Sequence, residues 1–255
     1  MEMYLIDMDC HPPFGVADIG YIGKVSYKEF FDNLERAGIS KVCGTLFLPT
    51  GFFDSREISE AIQEVNERTM ELACTESRYI PVFRMHPDCI EVTLSQLKKY
   101  VPMGMRIFEV EGVWLERTDM LSVFTYMQEQ DVVLSIRNAT AEQVLTIAEN
   151  FPSLKIIIDG VMDRVFSPIS AKEILSKCPQ IYLKVSDMAW IDNYYLHEWS
   201  KQLNKGRLLF GTGYPDCNPA TRVAAALWEL RDCSDEEQKM IFGQNAAKLF
   251  EEVSE

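Results

Sequence analysis

Histidine is scarce in this chain, with three residues in 255, at positions 11, 86 and 197. That count limits any metal centre that would be built from several imidazoles. Positive charge is also short: 25 Lys and Arg stand against 39 Asp and Glu, for a net charge of −14. A uniformly negative surface repels nucleic acid and anionic membranes, so neither is expected as a partner. The net charge does not bound the charge of a pocket, which can oppose it locally. No apolar run approaches the length of about 18 residues that a membrane span requires, and no signal peptide is recognisable. The seven cysteines are odd in number, scattered, and contain no CxxC pair. They read as the reduced thiols of a cytoplasmic protein, buried as small hydrophobes rather than paired. No GxGxxG turn follows the first strand, which disfavours a dinucleotide-binding doubly wound sheet, the runner-up fold.

What is present is a regular rhythm. Short apolar runs alternate with stretches of helical periodicity along the whole length. Strands are expected at 79–85, 103–108, 132–137, 155–159, 181–185 and 208–212, after a first strand ending near Asp9 and a second at 41–47. Helices are expected between them, and two carry capping boxes: Ser26 with Glu29, and Ser234 with Glu237 at the start of a closing C-terminal helix. Eight βα units in a chain with 47% hydrophobic residues imply a single (β/α)8 TIM barrel spanning residues 1–255 as one domain.

The first strand carries the first candidate chemistry. Asp9 and His11 are two residues apart and share a side of an extended chain, with Pro12-Pro13 ending the strand by removing backbone donors. Cys10 between them faces the other way and reads as packing.

Four stretches carry a resemblance. Ile6-Asp7-Met8-Asp9-Cys10-His11-Pro12 is similar to an opening I-D-x-H-x-H-P, and Phe151-Pro152-Ser153-Leu154-Lys155-Ile156 to F-P-x-L-K-I before a sixth strand. Leu209-Phe210-Gly211-Thr212-Gly213-Tyr214-Pro215 is similar to L-F-G-T-D-Y-P, and Asn245-Ala246-Ala247-Lys248-Leu249-Phe250 to N-A-A-x-L-F. Taken in order, these resemble the amidohydrolase-related family of TIM barrels, which contains metal-dependent hydrolases and decarboxylases. The resemblance implies a site at the C-terminal mouth of the barrel and, by analogy, a homodimer. It also implies metal ligands that this sequence replaces. The first histidine of H-x-H is Asp9, the strand-five histidine falls at Arg137, and the strand-six histidine falls at or next to Gly160, beside Asp159. The strand-eight aspartate is Gly213.

These substitutions set the candidates. Asp9, His11 and Asp159 are the residues that would hold a divalent ion, zinc or manganese, although no metal or other cofactor is favoured. Arg137 cannot ligate a metal; it can receive a carboxylate or phosphate, or pair internally with Asp159 or Asp9. Arg106 and Lys184, charged residues read as lying within strands, could join Arg137 and His11 in a small cationic pocket, or form ion pairs. Asp216, three residues past Gly213, could supply the missing base or cap a turn. Trp114 and Trp190 could wall a pocket or anchor loops.

Three functions follow. One is a hydrolase-like barrel whose metal site is degenerate and which binds a small anionic, carboxylate-bearing molecule, with Asp9, His11 and Asp216 as catalytic candidates and Arg106, Arg137, Asp159 and Lys184 as binding candidates. The second is an active metal-dependent hydrolase or decarboxylase rebuilt on Asp9 and His11. The third is a non-catalytic binding protein.

Overall fold

The computed structural model of the chain describes residues 4–15, 17–18, 24–54, 56–159, 168–186 and 195–251. Gly160 and Trp190 lie outside them. Eight parallel strands form the frame: β1 (Leu5–Asp7), β2 (Ile39–Gly44), β3 in two segments (Tyr79–Pro81 and Phe83–Arg84), β4 (Ile107–Glu111), β5 (Val133–Arg137), β6 (Ile156–Asp159), β7 (Ile181–Val185) and β8 (Leu208–Phe210). Each pairs with its neighbours in sequence order, β1 to β8. The ring closes where Met8 N–H donates to Phe210 O at 2.8 Å and Gly213 N–H to Asp9 O at 2.8 Å. The expected TIM barrel is the observed architecture.

A helix follows each strand: α1 (Tyr27–Arg36), α2 (Ile58–Thr75), α3 (Ile90–Tyr100), α4 (Leu121–Glu129), α5 (Ala141–Asn150), α6 (Pro168–Lys177), α7 (Tyr195–Ser200) and α8 (Pro219–Glu229). The capping boxes of Ser26 with Glu29 and Ser234 with Glu237 are both formed, and Thr140 with Gln143 makes a third. The closing helix is broken, with α9 (Asp235–Lys239) and α10 (Asn245–Glu251) flanking a π-helical turn, Met240–Gln244. One boundary differs from the sequence expectation in a way that matters below. Val101–Met103 forms a 3₁₀ turn stopped by Gly104 at φ +83°, so β4 starts and ends about three residues later than the apolar run suggests.

Period-two alternation divides each strand between two cores. Phe83, Phe108, Leu134, Ile158, Leu183 and Phe210 face outward into the layer beneath the helices. Ile6, Val82, Ile107, Val133, Ile157 and Leu209 face inward and fill the lower barrel, which Ala246 and Leu249 of α10 plug from below. Two residues further along the inward rows of β3 to β8 stand Arg84, Glu109, Ser135, Asp159, Lys184 (after Tyr182) and Gly211, while β1 continues with the apolar Met8. The apolar plug thus gives way to a charged layer within one step of the pleat, at the C-terminal ends of the strands.

Asp7 ties the ring shut. It is fully buried and accepts from Thr212 N (2.9 Å), Thr212 Oγ1 (2.5 Å) and Asp9 N (3.1 Å). Burial outweighs these bonds and pushes its pKa up to about 7. Folding therefore favours the neutral acid: its contribution is fully present below about pH 4, the unfolded value, and is lost as pH rises through about 7. Asp7→Asn is expected to gain thermal stability on the wild type as pH is raised from 4.5 to 8, by a few kcal/mol at most. Parallel melts of the two proteins across that range would show a constant difference if this account of Asp7 is wrong.

Candidate functional site

The charged layer is a connected network. Lys184 Nζ, on β7 and only 4% exposed, lies 2.9 Å from Asp159 Oδ2 and 3.6 Å from Asp9 Oδ1. The same Asp9 oxygen is 3.2 Å from His11 Nε2. His11 Nδ1 in turn sits 3.0 Å from Thr45 O and 3.3 Å from the Thr45 hydroxyl. Arg137 approaches Asp159 at 3.7 Å and Glu109 Oε1 at 3.8 Å. Arg84 reaches the same Glu109 oxygen at 3.8 Å and donates to the Thr45 hydroxyl at 2.9 Å. From Asp9 around to Thr45 the mouth is one circuit of alternating charge.

Backbone shape makes room for it. A Cβ on Gly211 would lie 2.6 Å from the Asp9 Cβ and 2.7 Å from that of Ser186, so only glycine lets Asp9 turn into the barrel at this height. Gly213 stands at φ +68°, and a Cβ there would be 3.8 Å from Asp9 Oδ2.

Burial sharpens the electrostatics. It would raise the Asp9 pKa, but Lys184 and the His11 bond outweigh it and hold that carboxyl well below the usual range. For Asp159, burial and the adjacent Asp9 charge win, and its pKa is raised despite Lys184 and Arg137. Burial likewise opposes ionisation of Glu109, yet Arg137 and Arg84 lower its pKa. Burial disfavours a charged Lys184, but Asp159 and Asp9 more than compensate and keep it an ammonium. Glu109 raises the Arg137 pKa further above its already high ordinary value.

Of the residues singled out in the sequence, Asp9, His11, Arg137, Asp159 and Lys184 come together at the mouth. Arg106 does not join them. It precedes β4 and lies at the opposite end of the barrel, where its Nη1 donates to Gln130 O at 3.0 Å. It borders a separate cavity with Lys41, Tyr79 and Phe250. The late start of β4 is the reason, and Glu109 takes the mouth position on that strand. Asp216 is exposed on the turn between Gly213 and α8. Sequence reasoning missed Arg84 and Glu109, both central to the circuit. The signal was available for Arg84, a charge inside an apolar strand, as for Lys184.

Beside the circuit, toward α2, lies a cavity of about 270 Å³ walled by Phe53, Ile58, Ile62, Met85 and Trp114, with Arg84, Glu109 and Glu111 on its polar side. Trp114 meets the His86 ring edge-on at 4.4 Å. As for metals, among the described residues no three His, Cys, Asp or Glu side chains are grouped so as to hold an ion. No helix of the described residues is long and apolar enough to cross a membrane.

Comparison with known proteins adds the following. The sequence model of the amidohydrolase family matches residues 82–251. No curated protein matches the chain by sequence. Among solved structures the chain is similar to 2,6-dihydroxybenzoate decarboxylase from Rhizobium, at 12% identity and TM-score 0.71, over 98% of this chain and 99% of that one. It is similar to 5-carboxyvanillate decarboxylase from Novosphingobium aromaticivorans, solved with manganese and 3-methoxy-4-hydroxy-5-nitrobenzoic acid, at 16% identity and TM-score 0.70, over 98% and 97%. An uncharacterised TIM-barrel protein from Bordetella bronchiseptica aligns at 15% identity and TM-score 0.71, over 99% and 100%. At these identities the likeness is one of fold.

Proposed function

The chain belongs to the amidohydrolase family, and on that footing we propose that it is a hydrolase-like barrel that has given up the family's divalent ion and grips a small carboxylate-bearing molecule at the mouth. Asp9, His11 and Asp159 are the residues that would ligate an ion, and they do not fit one as they stand. The Lys184 ammonium is 2.9 Å from Asp159 and 3.6 Å from Asp9, so a divalent cation among these ligands would meet a like charge at contact range. The carboxylates already have their cation.

The observation that carries the ligand reading is the state of Arg137. Its side chain is 32% exposed, and its ion pairs with Glu109 and Asp159 are at 3.8 and 3.7 Å. No described residue accepts a hydrogen bond from it. A planar fork of donors, charged and held in place but not hydrogen-bonded, is the receptor geometry for a carboxylate. The Asp9–His11 pair stands in the same circuit as an acid–base couple for a bound molecule. Asp216, exposed on its turn, and Arg106, at the far end of the barrel, play no part in this reading.

Calorimetric titration tests it. Simple carboxylates such as 3-phenylpropanoate are expected to bind where the corresponding neutral amides do not, and Arg137→Ala is expected to weaken binding about 30-fold or more, the worth of a charge-assisted hydrogen-bonded pair. Chelator treatment should change nothing. Stoichiometric zinc or manganese that is lost on Asp9→Ala or His11→Ala would replace this reading with the metal-dependent one.

A further inference from the structure

Glu109 is the least satisfied group at the mouth. It is 4% exposed, yet its Oε1 is buried without a hydrogen-bond donor. Arg84 Nε, beside it, is also buried without a partner. The two guanidinium groups that flank Glu109 Oε1 both stop at 3.8 Å, beyond hydrogen-bond reach. A buried carboxylate in that state is costly unless something donates to it, and native interiors rarely leave such an oxygen orphaned. Glu109 also forms part of the wall of the apolar cavity between Phe53, Ile58, Ile62 and Trp114.

The charge balance narrows what that donor is. Leaving the imidazoles aside, the mouth holds three cations, Arg84, Arg137 and Lys184, against four carboxylates, Asp9, Glu109, Glu111 and Asp159. A ligand bearing only a carboxylate would add to an excess of negative charge. A ligand that brings a positive donor to Glu109 together with a carboxylate for Arg137 leaves the balance unchanged. The spacing is short: Glu109 Oε1 is 3.8 Å from Arg137 Nη1. That spacing lets groups hydrogen-bonded to each at about 2.8 Å approach within a few ångströms of one another, as two substituents on one carbon do.

We propose that the ligand of this mouth is a free α-amino acid with an apolar side chain, its carboxylate on Arg137, its ammonium on Glu109, and its side chain in the cavity lined by Phe53, Ile58, Ile62, Met85 and Trp114. The inference rests on the carboxylate reading of Arg137 and adds the ammonium and the side chain to it. The cavity, about 270 Å³, is at the small end for ligand sites and suits one side chain rather than an extended substrate.

The test is a titration series on the wild-type protein with L-phenylalanine, L-alanine, 3-phenylpropanoate and 2-phenylethylamine. L-Phenylalanine is expected to bind at least tenfold tighter than each of the other three. In Glu109→Gln its advantage over 3-phenylpropanoate is expected to shrink to threefold or less. If that variant does not fold, the wild-type series decides alone. If 3-phenylpropanoate equals or exceeds L-phenylalanine on the wild type, the amino-acid assignment is overturned while the carboxylate reading stands. The same holds if the gap persists in a folded Glu109→Gln. Binding of L-alanine as tight as that of L-phenylalanine overturns the cavity's role. Should neither acid bind, or should 2-phenylethylamine match L-phenylalanine, the carboxylate reading fails as well.

Discussion

Replacing Lys184 by methionine is expected to lower the melting temperature by about 10 °C at pH 7. The side chain is 4% exposed, and its ammonium is the cation that Asp159 and Asp9 share. Methionine keeps the volume and removes the charge. Two buried carboxylates are then left facing each other, and breaking a buried pair in this way costs about 3–5 kcal/mol. For a chain of this size each kcal/mol moves the midpoint by roughly 2–4 °C. The deficit should narrow as pH falls, because protonating the carboxylates removes the repulsion that the ammonium had cancelled. The wild type should do the reverse through Asp9: its pKa is held below the usual range, so its contribution is present above about pH 4 and lost in more acidic solution.

Truncating the same residue to alanine makes the argument about metal testable in both directions. Once the ammonium is gone, Asp9 and Asp159 lose the cation they share, and Asp159 keeps only Arg137, at 3.7 Å. Zinc or manganese added to Lys184→Ala should therefore raise its melting temperature, by the equivalent of about 2.7 kcal/mol at a hundredfold excess over the dissociation constant. The wild type should not respond. Metal stabilisation of the wild type comparable to that of the variant would mean that Lys184 does not exclude an ion.

How much of this was legible in the sequence depended on where each charge sits relative to its strand. Lys184 was readable because it interrupts an apolar run whose ends are sharp, so its place inside β7 (Ile181–Val185) was not in doubt. Arg137 and Asp159 close β5 and β6, and the parallel register sets them side by side. Arg106 and Glu109 were exchanged in importance by one boundary. The run Met103–Phe108 looks like a strand, but its first residue belongs to a 3₁₀ turn, and Gly104 turns the chain before β4 begins. The three-residue offset moves Arg106 to the bottom of the barrel and brings Glu109 to the top. Arg84 was as readable as Lys184, a charge inside an apolar strand; what strand prediction one strand at a time does not reveal is its pairing in register with Glu109 across β3 and β4. The fold was easier because it rests on a repeated pattern that tolerates errors of a few residues at each end. A site assembled from single side chains on separate strands does not tolerate them.

The second large effect is expected from a position with no side chain. Gly44 ends β2, and a Cβ built on it would lie 2.1 Å from the carbonyl oxygen of Cys10, 3.0 Å from its carbonyl carbon and 3.3 Å from its nitrogen. Every one of these is a backbone atom, so no rotamer change can relieve the clash. Cys10 is also tied to the same strand, since its N–H donates to Cys43 O at 3.2 Å, and the next residue is held from the other side, His11 N–H donating to Tyr214 O at 2.8 Å. Gly44→Ala must therefore push the Asp9-Cys10-His11 segment away from β2. Overpacking of this kind typically costs about 1–3 kcal/mol and more where backbone must move, so a loss of about 3 kcal/mol, near 10 °C, is expected. The displacement should also reach the mouth, because His11 is positioned by Thr45, the residue after Gly44, and Asp9 by His11 and Lys184. Gly44→Ala and Lys184→Met share those contacts, so their costs should fall short of additive in the double variant. Additive melting shifts would mean that the strand-two glycine supports the barrel wall alone and that the charged circuit at the mouth does not depend on it.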